Sequence, residues 1–292
     1  MGGERGERGR ARTQRHHTSP PPPSPRYHIP TAPLDGPYGG SFRARPDQVT
    51  IAASMESAAY YPALDDAAYM AHFDVEATYR LSADVMLDYF NEGHTAAWTS
   101  TPPIPFAQKE AAVAYLSSNC GAPSGRDEIV GELMALPNNP LPVHALGACR
   151  NNRPSPPTRQ QVDTLKHYRF CIAMENSVAD DYVSEKVYAA LVAGCVPIYY
   201  GPANAADFVP SPHSIIDWRR FNGSVRALAD ELVRLNGDEA AYAQTQAWRT
   251  QPQEAWSPAF QALRKRLAQE ETQCHQCRLV AEKRAAGWRK DN

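Results

Sequence analysis

Apolar positions along this chain keep two rhythms. Between Ser184 and Pro202, Val187, Ala190, Leu191 and Gly194 recur at the i, i+3, i+4, i+7 spacing of one helical face, and the apolar run from Val196 to Tyr200 follows at once. This predicts a helix stopped by Gly194, then a strand buried on both faces of a parallel sheet and closed by Gly-Pro. Phe170 to Met174 reads as a matching strand ahead of the helix. The polar loop ENSVADDY between them therefore lies beyond a strand's carboxyl end, where open α/β sheets hold their ligands. Upstream the alternation repeats: AAVAYLSSNC is a strand with a polar end, RDEIVGELMAL a helix opening at Arg126, and LPVHALG a strand. SIIDW is a further short strand, and helices are expected over Val225 to Leu235, Glu239 to Arg249 and Pro258 to Gln269. Nearer the start, QVTIAAS reads as a buried strand, SMESAAYYPAL as a loop or short helix carrying Glu56, and TYRLSADVMLDYF as another extended segment.

Breaks in this pattern divide the chain. The opening MGGERGERGRARTQRHHTSPPPPSP has five arginines and a proline run but almost no large aliphatic residues, so it cannot bury enough surface to offset ordering entropy. TSTPPIP, Thr99 to Pro105, is dense in turn formers and marks a boundary. The expected organisation is a disordered leader over 1–46, a partial amino-side domain over 47–105, a ligand-binding α/β domain over 106–250 and a helical tail over 251–292. A formal net charge of −2 provides no basic footprint for nucleic acid, and no run of about eighteen apolar residues offers a membrane span.

Two cations carry the candidate chemistry. Lys186 falls in the first turn of its helix, where unpaired amides and the dipole favour an anion, and Arg126 opens the preceding helix in the same way. A diphosphate would span both. With no GxxxxGK[ST] run, nothing points to triphosphate hydrolysis. Glu175, Asn176, Tyr182 and Glu185 complete the loop with acceptors for sugar hydroxyls and a ring for packing; as purely structural residues, Asn176 would form a turn and Asp181 or Ser184 a helix cap.

Of the six cysteines, Cys171 and Cys195 sit in apolar runs and are expected as small buried hydrophobes without partners. Cys120 and Cys149 flank one α/β unit, and Cys274 and Cys277 form a CxxC in the tail. A zinc site would need a second ligand pair at suitable spacing, and only His275 lies near that CxxC, so no metal site is assigned; disulfides in an oxidising lumen fit better. Asn222-Gly-Ser224 is a glycosylation sequon in keeping with such a lumen.

FCIAMENSVADDYVSEK, followed by AGCVP and YYGP, resembles the donor signature of the α1,3/4-fucosyltransferases that use GDP-fucose. The similarity extends through TYRLSADV, SSNCGAPSGR, HALGACRNN, DFVPSPHSIIDW, QAWR and CHQC. Met174 stands for the usual Phe and Ser184 for Thr, and YRLSAD lacks a second arginine. The resemblance implies a two-domain GT-B glycosyltransferase of two Rossmann-like domains, the amino-side one shortened, working as an inverting α1,3-fucosyltransferase. By similarity Arg126 and Lys186 hold the diphosphate, while Asn176, Tyr182, Glu185, Glu175 and Asn119 contact the donor. The segment MESAAYYP matches the family's Glu-Ser-Pro, with Ala58 for the proline, and places the catalytic base on Glu56. Partners implied are GDP-fucose and a GlcNAc-containing glycan or glycoprotein acceptor. No cofactor is required, Mn2+ or Mg2+ being at most stimulatory, and the implied compartment is the Golgi lumen. Because the amino-side half is short, the alternative is a GDP-sugar-binding protein without turnover.

Overall fold

The computed structural model describes residues 26–28, 48–156, 160–269 and 272–286. Two parallel sheets organise them. The first consists of β1 (Arg26–His28), β2 (Thr50–Ser54), β3 (Val75–Thr78) and β4 (Val85–Met86), in that spatial order. The second contains β5 (Glu110–Tyr115), β6 (Val143–Ala145), β7 (Tyr168–Met174), β8 (Val196–Tyr200) and β9 (Ile216–Asp217), ordered β6-β5-β7-β8-β9. Every pairing is parallel, as strands buried on both faces require. The expected α/β fold with two Rossmann-like sheets is what the chain adopts. One expectation is corrected: Arg26–His28, assigned to a disordered leader, pair with β2 as an edge strand, because the outer side of β2 offers unpaired backbone groups to any extended segment. Residues 1–25 and 29–46 of that leader lie outside the described residues.

Helices cover both sheets. They are α1 (Ala67–Met70), α2 (Glu92–Ser100), α3 (Arg126–Ala135), α4 (Gln161–Leu165), α5 (Glu185–Ala193), α6 (Val225–Gly237), α7 (Glu239–Gln246), α8 (Pro258–Gln269) and α9 (Thr272–Ala285). The apolar face of α5 buries Val187, Ala190 and Leu191 against the second sheet. Gly194 ends this helix at φ +67°, and a side chain there would run into Pro103. On the α5 side, Trp98 of α2, Trp248, Trp256 and Phe260 of α8 form one core; on the other face, α3 and α6 pack Val130, Leu133, Leu228 and Leu232 against Phe170 and Ile198. The tail is not an appendage: α8 lies in the main core, and Leu279 and Val280 of α9 return to pack on Val49, Ile51 and Val75 of the first sheet.

Two disulfides close the second sheet's units. Cys120 is joined to Cys149, and Cys171 to Cys195. The latter corrects the reading of Cys171 and Cys195 as unpartnered fillers. Pairing of Phe170 with Val196 sets Cys171 of β7 beside Cys195, the residue just before β8, with Cα atoms 6.1 Å apart, and both side chains enter the same apolar layer. Cys274 and Cys277 lie exposed on α9 with no disulfide between them.

Candidate functional site

In the second sheet the chain leaves β5 towards β6 on one side and later returns to β7 on the other, so the strand order reverses between β5 and β7. Loops beyond the carboxyl ends of those two strands must diverge, and a crevice opens there. A cavity of about 740 Å³ occupies that position. Its walls are Ser117, Ser118 and Asn119 after β5, Gly147 and Ala148 after β6, Asn176 after β7, and the first residues of α3 and α5: Arg126, Glu185 and Lys186. The two cations thus line one cavity, together with Asn119, Asn176 and Glu185.

Arg126 is 3% exposed. Its Nη1 donates to the Met174 carbonyl at 3.0 Å, and Nη2 donates to Ser117 Oγ at 3.0 Å and to the Asn119 carbonyl at 2.9 Å. These bonds anchor the side chain across the ends of β5 and β7. None comes from a carboxylate, and Nε is buried without a partner among the described residues. A buried guanidinium held only by neutral groups is complementary to an incoming anion.

Lys186 is held differently. Nζ donates to Ser184 Oγ at 2.7 Å and lies 3.1 Å from Glu185 Oε1 and 3.3 Å from Glu175 Oε2. Burial works against its ammonium, but Glu175 and Glu185 outweigh that cost and hold its pKa above the ordinary lysine value. Glu175 is fully buried and does not reach the cavity wall. Its Oε1 accepts from the Ser184 amide at 2.8 Å and its Oε2 from Ser184 Oγ at 2.6 Å, which fixes the start of α5. Burial pushes the Glu175 carboxyl up, opposed by Lys186 and by both Ser184 bonds. Ser184 thus stands at the N-cap, with its hydroxyl committed to Glu175 rather than to the helix.

Glu56 follows β2, so it too lies just beyond a strand's carboxyl end, in the first sheet. Its Oε2 accepts from Tyr182 Oη at 3.0 Å and from Asn176 Nδ2 at 3.4 Å. The hydroxyls of Ser57 and Ser177 are in hydrogen-bond contact beside it. The two sheets therefore interlock through the loop that carries Glu56 and the loop that lines the cavity. Tyr182, like Glu175, stands off the cavity wall, 1% exposed, with its hydroxyl turned to Glu56. Asp181 is at φ +66°, its Oδ2 accepting from the Leu81 amide and its Oδ1 from Asn204 Nδ2, and this left-handed turn sets the direction in which Tyr182 leaves.

Sequence reasoning did not single out the remaining walls. Gly147 closes against the Ser117 carbonyl so tightly that a side chain there would collide with it. Asp127, beside Arg126, accepts from the Gly121 and Ala122 amides at 2.7 and 3.3 Å and so holds the turn before α3. The signal for Gly147 was the strand end in HALGAC; for Asp127 it was an acid in the first turn of a helix.

Residues 106–290 match Glycosyltransferase family 10 (fucosyltransferase) C-term. A fucosyltransferase-like protein of Arabidopsis thaliana is 34% identical over 238 residues, covering 81% of this chain and 44% of that protein. GDP-fucose protein O-fucosyltransferase 3 of Rattus norvegicus is 36% identical over 168 residues, covering 54% of this chain and 34% of that protein. This chain thus spans less than half the length of either. Among solved structures, the crystal structure of an alpha1,3-fucosyltransferase superposes with a TM-score of 0.61 at 16% identity, over 80% of this chain and 73% of the other, which shows a shared fold.

Proposed function

Because the chain belongs to glycosyltransferase family 10, the fucosyltransferases, we propose that it transfers L-fucose from GDP-β-L-fucose to an acceptor hydroxyl with inversion, through Arg126, Lys186 and Glu56. The observation that carries this reading is convergence. Two cations from separate helix starts share one cavity, and the carboxylate of the opposite sheet is hydrogen-bonded to the loop lining it.

The geometry suits the reaction. The acceptor O–H gives its proton to the Glu56 carboxylate as its oxygen bonds the anomeric carbon, and the bond from that carbon to the phosphate oxygen breaks with its electron pair leaving on GDP. Charge builds on the departing diphosphate, where Arg126 and Lys186 stabilise it in place before the reaction begins. A diphosphate needs no proton to leave, so no general acid is called for, and with two side-chain cations turnover is expected to survive EDTA. Close to Glu56 in sequence, Met55 and Tyr60 are large apolar side chains left exposed, and we take them as the surface an acceptor packs against. We take a GlcNAc-containing glycan as that acceptor, since a pyranose presents a CH face to an aromatic ring, and an α1,3 linkage on the resemblance of the donor loop to the α1,3/4-fucosyltransferases. The two disulfides suit an oxidising lumen, and the Golgi is the proposed compartment.

The test is a transfer assay with GDP-fucose, GlcNAc-terminated oligosaccharides and Ser/Thr peptides, with the product linkage read by NMR. Fucose is expected on the oligosaccharides. Fucosylated peptide would move the acceptor class to protein; GDP binding without any transfer would reduce the chain to a binding protein.

A further inference from the structure

Two buried cations stand at the far end of α5 from the donor cavity, and no step of the transfer uses them. Lys109 is 5% exposed and Arg249 8%. Lys109 Nζ donates to the Gly194 carbonyl. Arg249 donates from Nη2 to the Leu191 carbonyl, from Nη1 to the Trp98 carbonyl at 3.1 Å and from Nε to Gln246 Oε1 at 2.8 Å. All of these acceptors are neutral, and among the described residues no carboxylate is bonded to either cation. The carboxyl end of α5 sets about half a negative charge against two positive ones, so burial leaves a surplus that an anion would balance. Both groups register that surplus: burial and then Arg249 push the Lys109 ammonium down to about 8, and burial pushes Arg249 down to about 10 against the opposing pull of Tyr242.

A second cavity, of about 200 Å³, opens beside them, several times the ~30 Å³ that a water molecule takes up. The run from Pro103 to Phe106 forms an apolar wall, and Lys109 and Gln246 face it from the polar side. The bond from Arg249 fixes which way the Gln246 amide points and leaves its Nε2 buried without a partner among the described residues. Glu239, an acid on the same cavity, is exposed and hydrogen-bonded to neither cation. We propose that this cavity binds a small carboxylate with an apolar body, its charge set against Lys109 and Gln246 Nε2 and its body against the wall from Pro103 to Phe106. The ligand supplies the negative charge that the chain does not, and gives the orphaned amide an acceptor.

Benzoate is the probe and benzamide its uncharged isostere, each titrated into the full chain by calorimetry. At pH 7 benzoate is expected to bind at least about tenfold more tightly than benzamide, the scale of one charge-assisted hydrogen bond. Lys109 holds its proton below about pH 8 and loses it above, so benzoate affinity is expected to fall about tenfold from pH 7 to pH 9. Gln246→Glu sets a carboxylate of the chain itself beside Arg249, and Ala243→Phe fills the cavity while keeping its polar groups. Each is expected to abolish benzoate binding while the circular dichroism spectrum stays that of wild type. Equal affinities for benzoate and benzamide would reduce the cavity to an apolar crevice, and undiminished benzoate binding in both variants would put the anion elsewhere on the chain. Either result, or no heat up to about 10 mM benzoate, would overturn the proposal.

Discussion

Arg126 and Lys186 meet one cavity but are held by opposite means, and their variants should separate accordingly. Arg126 is bonded to two carbonyls and a hydroxyl, with no carboxylate hydrogen-bonded to its guanidinium. Arg126→Ala is expected to weaken GDP binding by at least tenfold, or about 1.4 kcal/mol, with calorimetry as the readout. Lys186 divides its charge between Glu175 and Glu185, and its replacement should weaken GDP less. On the acceptor side, Tyr60→Ala should raise the acceptor KM several-fold and leave GDP affinity unchanged, checked by initial rates beside a GDP titration. Both cations were legible because a helix start is visible in sequence. The orientation of Tyr182 was not, since it depends on the positive φ of Asp181, itself held by Leu81 and Asn204 from distant segments.

Among the elements, α5 links the strongest sequence pattern to the site, for its first turn carries Lys186 and the glycine that ends it abuts Pro103. Lys109 Nζ donates to the Gly194 carbonyl and Arg249 Nη2 to the Leu191 carbonyl, so two buried cations meet the negative end of the helix dipole. Gly194→Ala would force a side chain into both a left-handed conformation and Pro103; a loss of about 1–3 kcal/mol is expected in urea unfolding. Strands β5 to β8 were readable as apolar runs. The helix α2 was not, because its apolar content is little more than alanine and Trp98, and its start is set by a capping box between Asn91 and His94. Just before it, burial pushes the Asp88 carboxyl up to about 7 against pulls from the Phe90 and Tyr89 amides, and Asp88 Oδ2 has no partner among the described residues. A folded pKa above the unfolded one gives stability that is complete below about pH 4 and is lost as pH rises towards 7, by up to about 1.4 kcal/mol per unit. Asp88→Asn should therefore match wild type at pH 4 and exceed it at pH 7.5 in thermal unfolding.

Across the whole molecule, the loop beyond the carboxyl end of β2 meets the loop beyond the carboxyl end of β7, and the two sheets are joined at more than one place. The Ser57–Ser177 contact, the Tyr182–Glu56 bond and the return of α9 to the first sheet hold the halves together. Alternating β and α predicted the second sheet and its crevice, whereas the return of the tail was invisible because α9 has no periodic apolar stripe. The Cys120–Cys149 disulfide joins the loop after β5 to the loop after β6, both of them cavity walls. Cys120→Ser is accordingly expected to lower GDP affinity several-fold without abolishing folding, read by calorimetry and circular dichroism. The central claim is that a carboxylate from one sheet completes a diphosphate site built by the other. Its most direct test is the single-turnover rate of fucose transfer by Glu56→Gln with GDP-fucose saturating. The account predicts a fall of about 10²- to 10⁴-fold, the usual share of a general base, while GDP binds as in wild type; transfer at the wild-type rate would contradict it.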